Sequence, residues 1–102
     1  MTGSMQIAFL ETAQGELDGA IEYYNRERHS LGDEFLIEVL RALDRIAAFP
    51  EAWPQFSTRT RRCLLKRFPY GIIYQYSGNS ILVIAVAHLH RKPDYWKRRH
   101  RV

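Results

Sequence analysis

Apolar residues recur with two different periods along this chain, and the change of period separates a helical half from a strand half. From Ala13 the apolar positions are Leu17, Ala20, Ile21 and Tyr24. Spacings of three and four mark one face of an amphipathic helix that runs to about Arg28. Thr12 stands where an N-cap is expected. Gly15 weakens the helix by about 1 kcal/mol relative to alanine. Glu11, Glu16, Asp18 and Glu22 gather toward its N-terminal end, where the macrodipole favours acids. Ser30 reads as a second N-cap, with Asp33 three residues on completing a capping-box-like pair. Phe35, Leu36, Val39, Leu40, Leu43, Ile46 and Ala47 then trace a second, stronger apolar stripe. Pro50 ends it, because the residue before a proline avoids the helical region. So short a gap between two helices implies an antiparallel hairpin.

The remaining segments are strand-like. Gln6–Leu10 is a short apolar run at the start. Phe49–Thr60 has no period, and it reads as a loop that crosses back over the sheet with Trp53 and Phe56 pinned beneath it. Arg61–Arg67 alternates, placing Arg62, Leu64 and Lys66 on one face and Cys63, Leu65 and Arg67 on the other. Phe68-Pro69 breaks that strand, since proline has no ladder donor. Tyr70–Tyr76 is rich in β-branched and aromatic residues. Ser77-Gly78-Asn79-Ser80 reads as a hairpin turn. Ile81–His88 is apolar on both faces, which suits the middle of a sheet. Gln6–Leu10 is expected to pair on its free side. The order is β-α-α-β-β-β: an α+β fold with a helical hairpin packed on one face of a mostly antiparallel sheet. The opposite face is expected to be bare and basic.

Length and composition narrow the classes. At 102 residues the chain has room for one core, read as a single domain over residues 5–102. The first four residues precede a second methionine and look like a cloning remnant. Thirteen aromatics argue against disorder. Cys63 is the lone cysteine, so neither an internal disulfide nor a multi-cysteine zinc site can form. A reducing cytoplasm is the simplest setting. No apolar run approaches the roughly 20 residues of a membrane span, and no secretory signal pattern opens the chain.

Charge changes the picture more. Residues 1–58 hold ten acids and four Lys/Arg, whereas residues 59–102 hold eleven Lys/Arg and one acid. Such a split favours an acidic partner at the C-terminal half, either nucleic acid or an acidic protein segment, over a solvated basic face with no partner. The cations expected on one target-binding face are Arg62, Lys66, Arg67, Arg91, Lys97 and Arg98. RNA cleavage would need a base for the 2′-hydroxyl, an acid for the leaving oxygen and cations for the phosphorane. His88, His90 and Tyr95 are the available proton movers, and neighbouring cations would lower the tyrosine's pKa. His88 and His90 could share a face, but Asp94 and His100, the other candidate ligands here, lie past Pro93, so no metal site is expected. No cofactor motif is present. Trp96 reads as a packing residue at the sheet end.

Phe68-Pro69-Tyr70-Gly71-Ile72-Ile73-Tyr74, then Val83-Ile84-Ala85-Val86-Ala87-His88 and Arg91-Lys92-Pro93, stand in that β-α-α-β-β-β order. With Glu11, Ala13, Leu17 and Ile21-Glu22-Tyr23-Tyr24 of the first helix, they resemble the RelE/ParE toxin superfamily of bacterial type II toxin–antitoxin systems. Such proteins are often labelled plasmid stabilisation proteins. The resemblance spans Gln6 to about Arg99. It implies a growth-arresting toxin neutralised by a cognate antitoxin through an acidic amphipathic segment. RelE-like members cut mRNA on the ribosome, a role for which Arg91, Tyr95, His88 and Lys66 would be the catalytic set. ParE-like members bind and inhibit DNA gyrase without an enzymatic step. Lys66 is the only lysine on the middle strands, and the first helices are long and paired, which favours the ParE-like kind over the RelE-like kind or a non-toxic remnant that keeps only antitoxin binding.

Overall fold

The computed structural model describes residues 5–92 and 94–100. The first four residues and Pro93, read above as a remnant and as the stop of the last strand, lie outside them. The described chain runs β1 (Gln6–Phe9), α1 (Glu11–Glu27), α2 (Leu31–Ala48), β2 (Arg61–Leu64), β3 (Tyr70–Ser77) and β4 (Ser80–His88). The sheet order is β1-β4-β3-β2. β1 runs parallel to β4, with Gln6 opposite Ser80, and the other two pairings are antiparallel. The first strand does lie on the free side of the last.

Both helix starts differ from expectation. α1 begins after Leu10, whose apolar side chain can make no capping bond; its carbonyl accepts the Gln14 N–H at 2.9 Å. Thr12 sits exposed within the first turn. Ser30 holds the N-cap position of α2, but in a left-handed conformation (φ 64°) and without a capping bond. The cap comes from the other helix instead. Asn25 Oδ1 accepts the Gly32 N–H at 2.7 Å, and Asn25 Nδ2 donates to Asp33 at 3.4 Å. A side chain reaching across the hairpin thus serves the helix start and fixes the hairpin angle together. The helices approach closely at Gly32, where an added Cβ would run into the Ile21 carbonyl oxygen.

The hairpin covers one sheet face. Ala13, Leu17 and Ala20 of α1 and Phe35, Val39, Leu43 and Ile46 of α2 meet Cys63, Ile72, Tyr74, Ile81, Val83 and Val86. Tyr24, Phe35, Phe68 and Tyr70 form an aromatic cluster at one end, with ring centroids 4.9–6.3 Å apart.

The other face is not bare, which corrects the expectation of an open working platform. Pairing slips between Ile73 and Tyr74, which face Ala85 and Val83, so Ile84 is extra in β4. The bulge sends Ile84 and Ala85 to the same face as Ile73 and Ala87. Those side chains need cover, and the C-terminal turn provides it. Trp96 is buried there and stacks on Phe56 at 5.6 Å. Trp53 and Phe56 border one pocket with Arg62 and Leu64 but pack against different clusters. Trp53 packs toward the helix side and Phe56 toward the far side, so their segment straddles the edge of β2.

β2 ends at Leu64, three residues earlier than the alternation predicts. Glu38 of α2 is the reason. Its carboxylate accepts the backbone N–H groups of both Lys66 and Arg67, diverting them from the sheet ladder.

Candidate functional site: a basic cleft at the C-terminal turn

The site is built where β4 outruns its neighbour. β1 stops at Phe9, and Leu10 N–H makes the last backbone contact, to Val83 O at 3.0 Å. Beyond that point the β4 edge has no partner strand among the described residues, and exposed ladder groups need another source of hydrogen bonds. Two side chains supply it. Glu16 Oε1 accepts the Val86 N–H at 3.0 Å, and Arg99 donates to Ile84 O at 3.2 Å.

The same two residues clasp each other. Arg99 donates to both Glu16 carboxylate oxygens, at 2.8 and 2.7 Å. Tyr95 OH donates to Glu16 Oε2 at 2.7 Å, and Arg91 lies 3.9 Å from that oxygen. The Glu16 and Arg99 side chains are only 16% and 17% exposed, so this is a largely desolvated charge pair, unlike the solvated Arg26–Glu22 and Arg67–Glu34 pairs. One carboxylate thereby holds the C-terminal turn against α1 and β4.

Around this clasp the cations stack on aromatic rings. The Arg91 guanidinium lies 3.7 Å from the Tyr95 ring centroid, and the Arg62 guanidinium 4.2 Å from that of Phe56. Together with Lys92, His88 and Trp96 they line one shallow cleft. Lys97 and Arg98 sit exposed on the same turn as Trp96.

The expected single basic face is divided. Arg62 and Arg91 share the cleft, but Lys66 and Arg67 line a separate groove beside α2, with Glu34, Glu38 and Arg41. Arg67 there pairs with Glu34 at 2.8 Å. The structure thus separates Lys66 from Arg91, Tyr95 and His88.

Tyr95 is poorly disposed to accept a proton. Burial pushes the Tyr95 phenol above its ordinary range, and its hydrogen bond to the Glu16 carboxylate pushes it the same way. This reverses the lowering expected from nearby cations, which here are the weaker influence. Burial lowers the pKa of His88, and the neighbouring His90 lowers it further. His88 Nδ1 accepts the His90 backbone N–H at 3.1 Å, and its ring meets Tyr70 edge-on. Among the described residues, no three His, Cys, Asp or Glu side chains come together in a way that could hold a metal ion. No helix is long and apolar enough to cross a membrane.

A family profile described as ParE toxin of type II toxin-antitoxin system, parDE, matches residues 7–93. The chain belongs to the ParE toxin family. A solved structure described as the chromosomal ParDE TA system from P. aeruginosa is similar in fold, with a TM-score of 0.59 and 15% sequence identity. The match covers 85% of this chain and 98% of that one. No curated relative matches the sequence. Within this ParE-type scaffold, sequence reasoning missed Glu16, Arg99 and Phe56. Glu16 looked like a helix-dipole acid, yet it lies three after Ala13 and four before Ala20, on the buried stripe. That position was the available signal. Nothing local marked Arg99 out from the adjoining cations.

Proposed function

We propose that this ParE-family toxin arrests growth by binding and inhibiting DNA gyrase, with the cleft of Arg62 and Arg91 and the exposed Lys97 and Arg98 as its target-binding surface. The observation that carries this reading is the state of Tyr95. A phenol that donates to a buried carboxylate, with its pKa raised, is a poor base near neutral pH. Lys66, a cation that RNA cleavage would need, faces a different groove. What remains in the cleft is a set of guanidiniums fixed by stacking. They keep N–H donors at their edges for an acidic or phosphate-bearing target. Such a surface binds without a chemical step.

A cognate antitoxin with an acidic amphipathic segment neutralises the toxin in this reading. The cytoplasm, where gyrase works, is the site of action, and loss of the antitoxin is what gives plasmid stabilisation. The deciding experiment is a supercoiling assay with purified gyrase. Wild-type toxin is expected to block supercoiling, and Arg91→Ala to weaken the block while leaving the melting curve near wild type. Undiminished supercoiling at excess toxin overturns the reading. So does the appearance, by primer extension, of new cuts in translated messages that Arg91→Ala abolishes.

A further inference from the structure

Arg62 reaches the cleft along a prepared track. Its backbone is held on both sides. It stands opposite Ile73 in the ladder of β2 and β3, and its N–H donates to Pro54 O at 3.1 Å. Its side chain then packs across Gly71 of β3. A Cβ added to that glycine would stand 3.2 Å from both Arg62 Cγ and Cδ, and 3.3 Å from Leu64 Cδ2. That is closer than ordinary van der Waals contact. Gly71 does not have a positive φ, so its backbone conformation does not call for glycine. The close approach of the Arg62 stem does.

At the end of the stem the guanidinium lies 4.2 Å from the Phe56 ring centroid. Phe56 in turn stacks on Trp96, with the ring planes 28° apart. A tight loop fixes the backbone of Phe56. Its N–H donates to Thr60 O at 2.8 Å, and a 2.6 Å hydrogen bond joins Ser57 Oγ and Thr60 Oγ1. Ordering a free arginine side chain on binding costs conformational entropy. Here stem and head are ordered in advance. Among the described residues Arg62 makes no ion pair, so its N–H donors stay open to a target.

We propose that Gly71 and Phe56 are positioning residues for target binding, acting through Arg62. The glycine leaves the lane for its stem, and the phenyl ring sets the plane of its guanidinium. This rests on the reading of the cleft as the target-binding surface, and it adds two residues that work through a third.

Gly71→Ala separates this role from a structural one. Alanine suits a strand better than glycine, and the atoms nearest the new methyl belong to two flexible side chains. The melting temperature is expected to hold or rise, while gyrase inhibition weakens about three- to tenfold. A purely structural residue would move both downward together, and that result overturns the proposal. Phe56→Leu is expected to weaken inhibition by a similar factor, and Phe56→Tyr, which keeps a ring face, to restore most of it. Arg62→Ala is expected to cost about tenfold or more. In that background neither Gly71→Ala nor Phe56→Leu is expected to cost anything further. A further loss there overturns the proposal, as does full inhibition by either single variant. NMR of the free toxin gives a readout without any target. The Phe56 ring current should shift the Arg62 δ and Nε protons upfield, and Phe56→Leu should abolish the shift. Random-coil shifts in the wild type overturn the proposal.

Growth arrest on induction separates it from the gyrase reading. Arrest that follows the same pattern of variants while purified gyrase is untouched removes gyrase and keeps the positioning. Equal gyrase inhibition by wild type and both single variants keeps gyrase and removes the positioning. A wild-type chain that does neither removes both.

Discussion

Replacing Glu16 with alanine tests the clasp most directly. The substitution removes the acceptor for the Val86 N–H, for the Tyr95 hydroxyl and for two Arg99 donors. It strands a guanidinium that is only 17% exposed. Breaking a buried charge pair from one side costs about 3–5 kcal/mol, because the remaining charge stays desolvated. The methylene groups of Glu16 also leave contacts over β4, a smaller loss. For a domain of this size each kcal/mol lowers the melting temperature by about 4–8 °C, so a fall on the order of 12–40 °C is expected if the loss is global. A smaller fall is expected if the C-terminal turn peels away first. In that case the Val86 amide exchanges with solvent deuterium far faster than the amides of Ile72 and Val83. A calorimetric scan and amide exchange by NMR together cover both routes. A double-mutant cycle with Arg99→Ala should give a coupling of about 1.5–3 kcal/mol. A melting temperature within 2–3 °C of wild type, roughly half a kcal/mol by the same relation, combined with unchanged protection of Val86, would refute the claim that Glu16 holds the turn.

Gly32→Ala drives a methyl into the Ile21 carbonyl oxygen, on backbone that cannot step aside. The helices must splay, at a cost of about 2–4 kcal/mol read from chemical denaturation, and an unchanged midpoint would contradict the close crossing. Tyr74 is pushed up to about 12, mainly by burial, and its hydroxyl donates to Pro50 O at 2.7 Å. Because the folded-state pKa lies above the unfolded one, its contribution to stability is whole below about pH 10 and is lost as pH climbs toward 12. Absorbance at 295 nm during an alkaline titration should show a late fraction of the tyrosines, Tyr74 and Tyr95 among them, ionising only as near-ultraviolet circular dichroism collapses. Reversible ionisation of all six tyrosines near pH 10 with the tertiary signal intact would disprove that.

Much of the architecture was legible because periodicity is a local record of burial. The apolar stripe from Phe35 to Ile46 lies on the core as its spacing requires. The uniformly apolar β4 does occupy the sheet interior. What escaped the reading depends on contacts between distant residues. Asn25 caps a helix that is not its own, so local capping rules pointed to Ser30. Glu38 draws Lys66 and Arg67 off a strand that their alternation supports. The bulge at Ile84 leaves no mark in a run where every residue is apolar, so the cover over the second face went unforeseen. The cations were counted correctly, but their division between groove and cleft depends on where β2 stops. That stop is set by a carboxylate on α2.

The pairing of the first strand with the last has a consequence for biosynthesis. Gln6 emerges from the ribosome before Ser80, and its place in the sheet does not exist until the chain has been read past Ser80. Glu16 likewise awaits Arg99, and Phe56 awaits Trp96. A nascent chain stopped short of its final turn can form the helical hairpin from nearby contacts, but the β4 edge and the bulged face stay open to solvent. Products that stop before Arg99 therefore carry no finished cleft, and a cell that makes this toxin meets the assembled surface only once Trp96 and Arg99 have been added.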